Sequence, residues 1–119
     1  MYKPDDPIFV FGSNKAGRHS RGAALSARLY YGAEYRVGVG RTGHAYAIPT
    51  KDERLKTLPL CEIRQYVYDF IQYAKSHPEL TFCVTRIGCG LAGYTDRDIA
   101  PMFKDAPDNC MFPKAWLNV

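Results

Sequence analysis

The stretch Ile8-Phe9-Val10-Phe11-Gly12-Ser13-Asn14, followed after a polar loop by Gly22-Ala23-Ala24-Leu25-Ser26-Ala27-Arg28-Leu29-Tyr30-Tyr31, decides the fold. Four consecutive apolar residues do not suit a strand with one wet face, so 8–11 reads as a strand buried on both sides. Gly12-Ser13-Asn14 stops it, and Lys15 to Arg21 forms a polar, glycine-containing loop. Residues 22–31 favour helix, and Gly32 suits the position just past the helix end. Strand, glycine loop and helix in that order open a layered α/β fold.

Working outward, the same alternation continues. Residues 35–43, rich in Gly and Arg, read as a loop with a short strand. His44 to Ile48 reads as a second strand, ended by Pro49, and Thr50 to Pro59 as a charged loop. Leu60, Ile63, Val67, Phe70, Ile71 and Ala74 recur at helical spacing, with Pro59 in the first turn and Pro78 just beyond the end. Leu80 to Thr85 reads as a strand, and Arg86 to Tyr94 as a second glycine-rich loop. Thr95 caps a helix with Asp98 three residues on, running through Ile99, Ala100 and Met102. Asn109 to Phe112 reads as a last strand. The expectation is one domain, 1–119, with a short lead (1–7), a short tail (114–119) and a mixed, mostly parallel sheet flanked by helices.

Composition agrees with a globular chain. Of 119 residues, 46% are hydrophobic and 24% charged, which argues against disorder. No apolar run approaches the roughly 20 residues that span a bilayer. Met1 to Pro7 carries Asp5 and Asp6 and no apolar core, which is not a signal-peptide pattern. A cytoplasmic protein is expected, with no membrane partner. Cys61, Cys83, Cys89 and Cys110 contain no C-x-x-C pair, and His19, His44 and His77 are scattered. No metal site and no cofactor is expected; the thiols read as free, with Cys83 and Cys110 as core packing.

Net charge is +4, unevenly placed. The window 15–41 holds Lys15, Arg18, Arg21, Arg28, Arg36 and Arg41 against one acid, Glu34. A solvated basic face is the bland reading. The glycines threaded through the window favour a phosphate-bearing ligand, because backbone without side chains approaches an anion closely.

Gly38-Val39-Gly40-Arg41-Thr42-Gly43 matches G-x-G-x-x-G. A strand rather than a helix follows it, so it reads as a loop and not as a dinucleotide fingerprint. Gly88-Cys89-Gly90-Leu91-Ala92-Gly93 lies between strand and helix, where backbone N–H groups can wrap a phosphate. Three glycines in six residues exceed what a turn needs. Both glycine loops follow strands, so both should lie at the same sheet edge, where ligands bind. Asn14 can cap a turn or offer its amide to a ligand hydroxyl. His19 can be a solvated loop histidine or a group titrating near neutrality. Lys51-Asp52 can be a surface pair or a charge aimed into the cleft.

Together these residues resemble the macro-domain superfamily, which binds ADP-ribose. Asn14, Gly17 and Gly22-Ala23-Ala24 resemble its first ribose-binding segment. Arg86-Ile87-Gly88-Cys89-Gly90-Leu91 resembles the loop that wraps the diphosphate and distal ribose. Tyr46-Ala47-Ile48-Pro49-Thr50-Lys51 resembles the strand and lysine of the branch containing the terminal ADP-ribose protein glycohydrolase. The similarity covers about residues 8–112 and extends to short macro-like proteins of bacteria and their phages. In that branch an aspartate follows G-C-G-L; here the position is Ala92.

The resemblance implies binding of ADP-ribose or a related nucleotide through Asn14, Gly17, Gly22, Ala23 and the run Ile87, Gly88, Cys89, Gly90, Leu91, Ala92, Gly93 and Tyr94. It also implies a candidate hydrolysis of ADP-ribosyl linkages or of ADP-ribose 1″-phosphate. For the former, Lys51 would attack the distal ribose carbon, with Asp52, Asp96 or His19 as acid/base. The alternative is a non-catalytic reader of ADP-ribosylated protein or nucleic acid, which the missing acid at position 92 favours.

Overall fold

Side-chain alternation along the central strand divides the molecule into layers. In the computed structural model, which describes residues 2–117, β1 (Ile8–Asn14) sends Ile8 and Val10 to one side and Phe11 to the other. The first side is covered by α2 (Leu60–Ser76), whose Ile63, Val67, Phe70, Ile71 and Ala74 form the stripe expected from the 3.6-residue period. The second is covered by α1 (Gly22–Tyr30), which offers only Ala24 and Ala27 as buried residues. These small residues share an apolar cluster with Phe11 and with Ala45 and Ala47 of β3 (Ala45–Lys51), and the helix lies against β1.

The sheet has five strands in the order β2-β3-β1-β4-β5, with β2 at Gly40–Thr42, β4 at Phe82–Val84 and β5 at Cys110–Met111. β1 pairs in parallel with both β3 and β4, and β4 with β5; only β2 is antiparallel, against β3. The chain leaves β1 toward β3 and leaves β4 toward β5, in opposite directions across the sheet. A crevice therefore opens beyond the carboxyl ends of β1 and β4, the topological switch point where α/β sheets place ligands.

Several elements depart from the sequence reading. β1 continues through Gly12-Ser13-Asn14, with an irregularity at Ser13/Asn14, and Phe9 is only half-buried. β3 runs through Pro49 to Lys51. The parallel ladder links odd residues of β1 to even residues of β3, as the Phe9 N–H to His44 carbonyl bond shows. Pro49 thus falls where β1 needs no N–H, and β2 ends opposite Ala47.

The final helix is shorter than expected. Thr95 and Asp98 form the capping box, but α3 covers only Asp96–Ile99 before tightening to a 3₁₀ turn at Ala100–Phe103. The tail is not loose. Trp116 is buried against Phe103, with ring centroids 5.4 Å apart. Asn118 and Val119 of the expected tail, and Met1 of the lead, lie outside the described residues. Cys110 is buried as expected, but Cys83 is exposed, as is Cys61. Phe82 and Val84 take the covered side of β4, so Cys83 must point to the other, which no helix covers there. No helix among the described residues is long and apolar enough to cross a membrane.

Candidate functional site

The crevice at the switch point is a cleft of about 800 Å³. Gly12 forms its floor: a Cβ there would stand 3.6 Å from the Gly88 nitrogen and 3.7 Å from the Thr50 hydroxyl. Three segments make the walls: the 14–24 loop and helix start, the end of β3 with Leu55, and the loop 85–92.

Two walls present backbone donors. In the loop after β4, Cys89 N–H bonds the Arg86 carbonyl (3.1 Å), Gly93 N–H that of Gly90 (3.0 Å) and Tyr94 N–H that of Gly88 (2.9 Å). The N–H groups of Gly88, Gly90, Leu91 and Ala92 have no acceptor among the described residues. The first turn of α1 is likewise open. Its N-cap residue, Arg21, makes no side-chain cap, and Gly22, Ala23 and Ala24 line the cleft. Unfilled N–H groups at a helix start, with the dipole behind them, favour an anion.

The charges agree. Arg18, Arg21, Lys51 and Arg86 line the cleft and no carboxylate does. The structure sorts the basic window that the sequence could only count. Lys15 pairs with Glu62 across to α2. Arg28 lies over the Tyr35 ring at 5.1 Å. Arg41 bonds the Gly43 carbonyl and the Tyr73 hydroxyl. Of the remaining three, Arg36 lies outside the cleft lining, while Arg18 and Arg21 line the cleft and were not among the residues expected at the site. Nothing in a linear window distinguishes a cation that finds a partner from one that does not.

The expected site residues divide clearly. Asn14, Gly22, Ala23, Gly88, Cys89, Gly90, Leu91, Ala92 and Lys51 all line the cleft. Asn14 spends its amide on the loop: its Nδ2 donates to the Arg18 carbonyl (3.1 Å) and its Oδ1 accepts from the Arg18 N–H (3.0 Å). It shapes the wall that carries Arg18. Lys51 forms no ion pair among the described residues. Burial first, and the nearby Asp96 carboxylate second, push the Cys89 thiol up to about 11, so it stays protonated at neutral pH.

The others lie elsewhere. Gly17, at φ +70°, is pressed against the Arg36–Val37 backbone, where any Cβ would overlap it; it is a packing glycine. Ile87 is 1% exposed and belongs to the α2-side core. Gly93 closes a turn back to Gly90, outside the lining. Tyr94 donates its hydroxyl to the Leu58 carbonyl (2.6 Å), bracing one wall against its neighbour.

None of the three acid/base candidates reaches the cleft lining. Asp96 receives Nε and Nη2 of Arg86 at 2.9 Å each, and Nε1 of Trp116 at 2.7 Å. The Arg86 guanidinium, then the Trp116 indole, hold its carboxyl down at about 2. Asp52 accepts the N–H groups of Arg54 (2.8 Å) and Lys56 (2.9 Å) and so builds the turn after β3. The Lys56 N–H first among these partners lowers its pKa. His19 is fully buried rather than solvated, edge-on to Phe11. Its Nε2 donates to the Val37 carbonyl (3.0 Å), its Nδ1 has no partner among the described residues, and burial lowers its pKa.

Gly38-Val39-Gly40-Arg41-Thr42-Gly43 is confined to β2 and its approach, outside the cleft. No group of three His, Cys, Asp or Glu side chains gathers among the described residues to hold a metal. No family model, curated protein or solved structure matches the chain, so the cleft itself must carry the functional argument.

Proposed function

We propose that this chain is a minimal macro-like module that binds ADP-ribose or a closely related nucleoside diphosphate. One observation carries the reading: two backbone segments with unfilled N–H groups converge with Arg18, Arg21 and Lys51, none of which forms an ion pair among the described residues, on a cleft whose lining has no carboxylate. A diphosphate supplies the acceptor oxygens and the negative charge that such a cleft lacks. The order of the lining segments, Asn14 with the α1 start, then the β3 end with Lys51, then the Gly88-Cys89-Gly90-Leu91 loop, is that of the motifs resembling the macro-domain superfamily.

Binding is favoured over turnover. Hydrolysis needs a group to move protons, and Asp52, Asp96 and His19 are each engaged away from the cleft. A reader of ADP-ribosylated macromolecules fits that inventory. Lys51 supports a second reading, because it lines the cleft without an ion pair. An amine there can attack a ribose carbon when neutral. Calorimetry with ADP-ribose tests binding, and incubation with ADP-ribosylated protein and with ADP-ribose 1″-phosphate tests turnover. Absence of saturable ADP-ribose binding would reject the first reading. Product formation abolished by Lys51→Ala would establish the second.

A further inference from the structure

We infer that His19 is a pH-sensitive peg: proton uptake on its imidazole unseats the 17–21 stretch of the cleft wall and weakens the hold on the ligand. The unseating stands on the packing of His19 itself. Its effect on affinity rests on the anion-binding reading above.

The wall stretch alternates in exposure. Gly17 and His19 are buried, Arg18 and Ser20 exposed, as in an extended chain whose successive side chains point to opposite sides. Arg18, Ser20 and Arg21 line the cleft, and His19, between them, is 0% exposed. Its seat is the segment 34–37. Gly17 is pressed on the Arg36–Val37 backbone, and the Arg36 N–H donates to the Gly17 carbonyl (2.8 Å). Asn14 holds Arg18 by two bonds. Past Arg18, the bond from His19 Nε2 to the Val37 carbonyl (3.0 Å) is the one hydrogen bond that ties residues 19 and 20 to the fold among the described residues. The outer half of the wall therefore hangs on this side chain.

The seat suits the neutral ring only. With Nε2 donating, Nδ1 has no partner among the described residues. A proton on Nδ1 would make it a buried donor without an acceptor and give the ring a charge away from water. Burial opposes that charge most strongly; the Val37 and Glu34 carbonyls favour it, and the Arg28 guanidinium of α1 opposes it. β1 offers the Phe11 ring edge-on at 5.1 Å, and the 34–37 segment offers the neutral Tyr35 ring at 6.4 Å. No carboxylate is among these neighbours. An imidazolium gains more from water than from this seat, so acid favours the ring outside and the wall detached.

His19 is the histidine beside the cleft. His44 and His77 bond to the Asp6 and Tyr73 carbonyls, away from the lining. No carboxylate lines the cleft, and Cys89 stays protonated. A pH response of the 17–21 wall between pH 7.5 and 5.0 therefore belongs to His19.

The test reads wall and ligand separately. Amide hydrogen exchange, corrected for its intrinsic pH dependence, is followed from pH 7.5 to 5.0 without ligand, in the wild type and in His19→Gln. Below about pH 6.5, wild-type protection of 15–21 is expected to fall by up to about tenfold per pH unit. These amides should be open at pH 5.0 while those of α2 remain protected. His19→Gln keeps an N–H for the Val37 carbonyl and takes up no proton, so its 15–21 stretch should stay protected. ADP-ribose, whose diphosphate is ionised across this range, should bind the wild type about tenfold more weakly at pH 5.0 than at 7.5, and His19→Gln equally at both. The wild-type exchange decides the point even where the variant does not fold. Protection of 15–21 that persists at pH 5.0, opening of 15–21 and α2 together, or the same response in His19→Gln overturns the peg. Opening of 15–21 with affinity unchanged or raised overturns its control of the ligand. A wild type that binds no ADP-ribose at pH 7.5 removes the ADP-ribose reading, whereas local opening of 15–21 at pH 5.0 still upholds the peg.

Discussion

Gly90→Glu separates ligand placement from folding. Gly90 is not in the left-handed region, and a Cβ built there meets no atom within 4 Å. The fold therefore accepts a side chain at 90, at a cost within about 0.5 kcal/mol, as for other surface positions. The same open space is the cleft. A carboxylate about 5 Å from a phosphate charge repels it by roughly 0.8 kcal/mol in a water-like medium and roughly 3 kcal/mol at an effective dielectric of 20. A second phosphate charge adds to this, and the side chain also crowds the Gly90 and Leu91 N–H groups. The expected result is an affinity for ADP-ribose lowered by about 100-fold. Gly90→Ala should stay close to wild type, and Gly90→Gln should fall between, which divides charge from bulk. Calorimetry gives the affinities and a circular-dichroism melt verifies folding. A Gly90→Glu protein with unchanged Tm and affinity within threefold of wild type would show that the ligand does not contact the 88–92 loop.

Other substitutions test the remaining assignments. If Lys51 is a nucleophile, Lys51→Ala and Lys51→Arg should both bind ADP-ribose and lose hydrolysis, since a guanidinium stays protonated; if it only attracts phosphate, Arg should keep binding while Ala weakens it. Ala92→Asp would place at the cleft a carboxylate where the hydrolase branch resembled by the sequence motifs has one, and a gain in turnover, measured as released ADP-ribose, would mark the natural chain as a binder. His19 has a lowered pKa in the fold, so the unfolded chain takes up its proton first as pH falls below about 6.5. Stability should accordingly be full above that pH and decline below it, and melts of His19→Gln between pH 7.5 and 5.5 should lose that part of the slope. Asp96, held at about 2, works at the acid end: its contribution is present above about 4 and is lost as pH falls toward 2. Asp96→Asn should lower Tm at pH 7 and flatten the acid limb, because Arg86 and Trp116 lose a charged acceptor.

The order of elements was legible because it rests on local chemistry. The apolar run at 8–11, the helical period from Leu60 to Ala74, and the Thr95–Asp98 capping box are each written within one turn or strand. So were the glycine loops, since strand ends in an α/β sheet share an edge. From this the sequence placed the two glycine loops, 12–22 and 88–93, at one sheet edge, while Lys51 stayed open between the surface and the cleft that it lines in the structure. Partnering over long range was decided only in three dimensions. Trp116 claims Asp96 from 20 positions away, and Glu62 claims Lys15. His19 enters a core formed with Phe11, bonded to a carbonyl 18 residues on. Each of these residues carries the same formal chemistry in the sequence as a free acid, base or cation. Which remain available is set by burial and by neighbours that the fold, not the chain order, brings within hydrogen-bond reach. Leu55 is the converse case. No local pattern marks a leucine for a positive φ, and only the turn built around Asp52, braced against the 88–94 loop, holds it at the cleft.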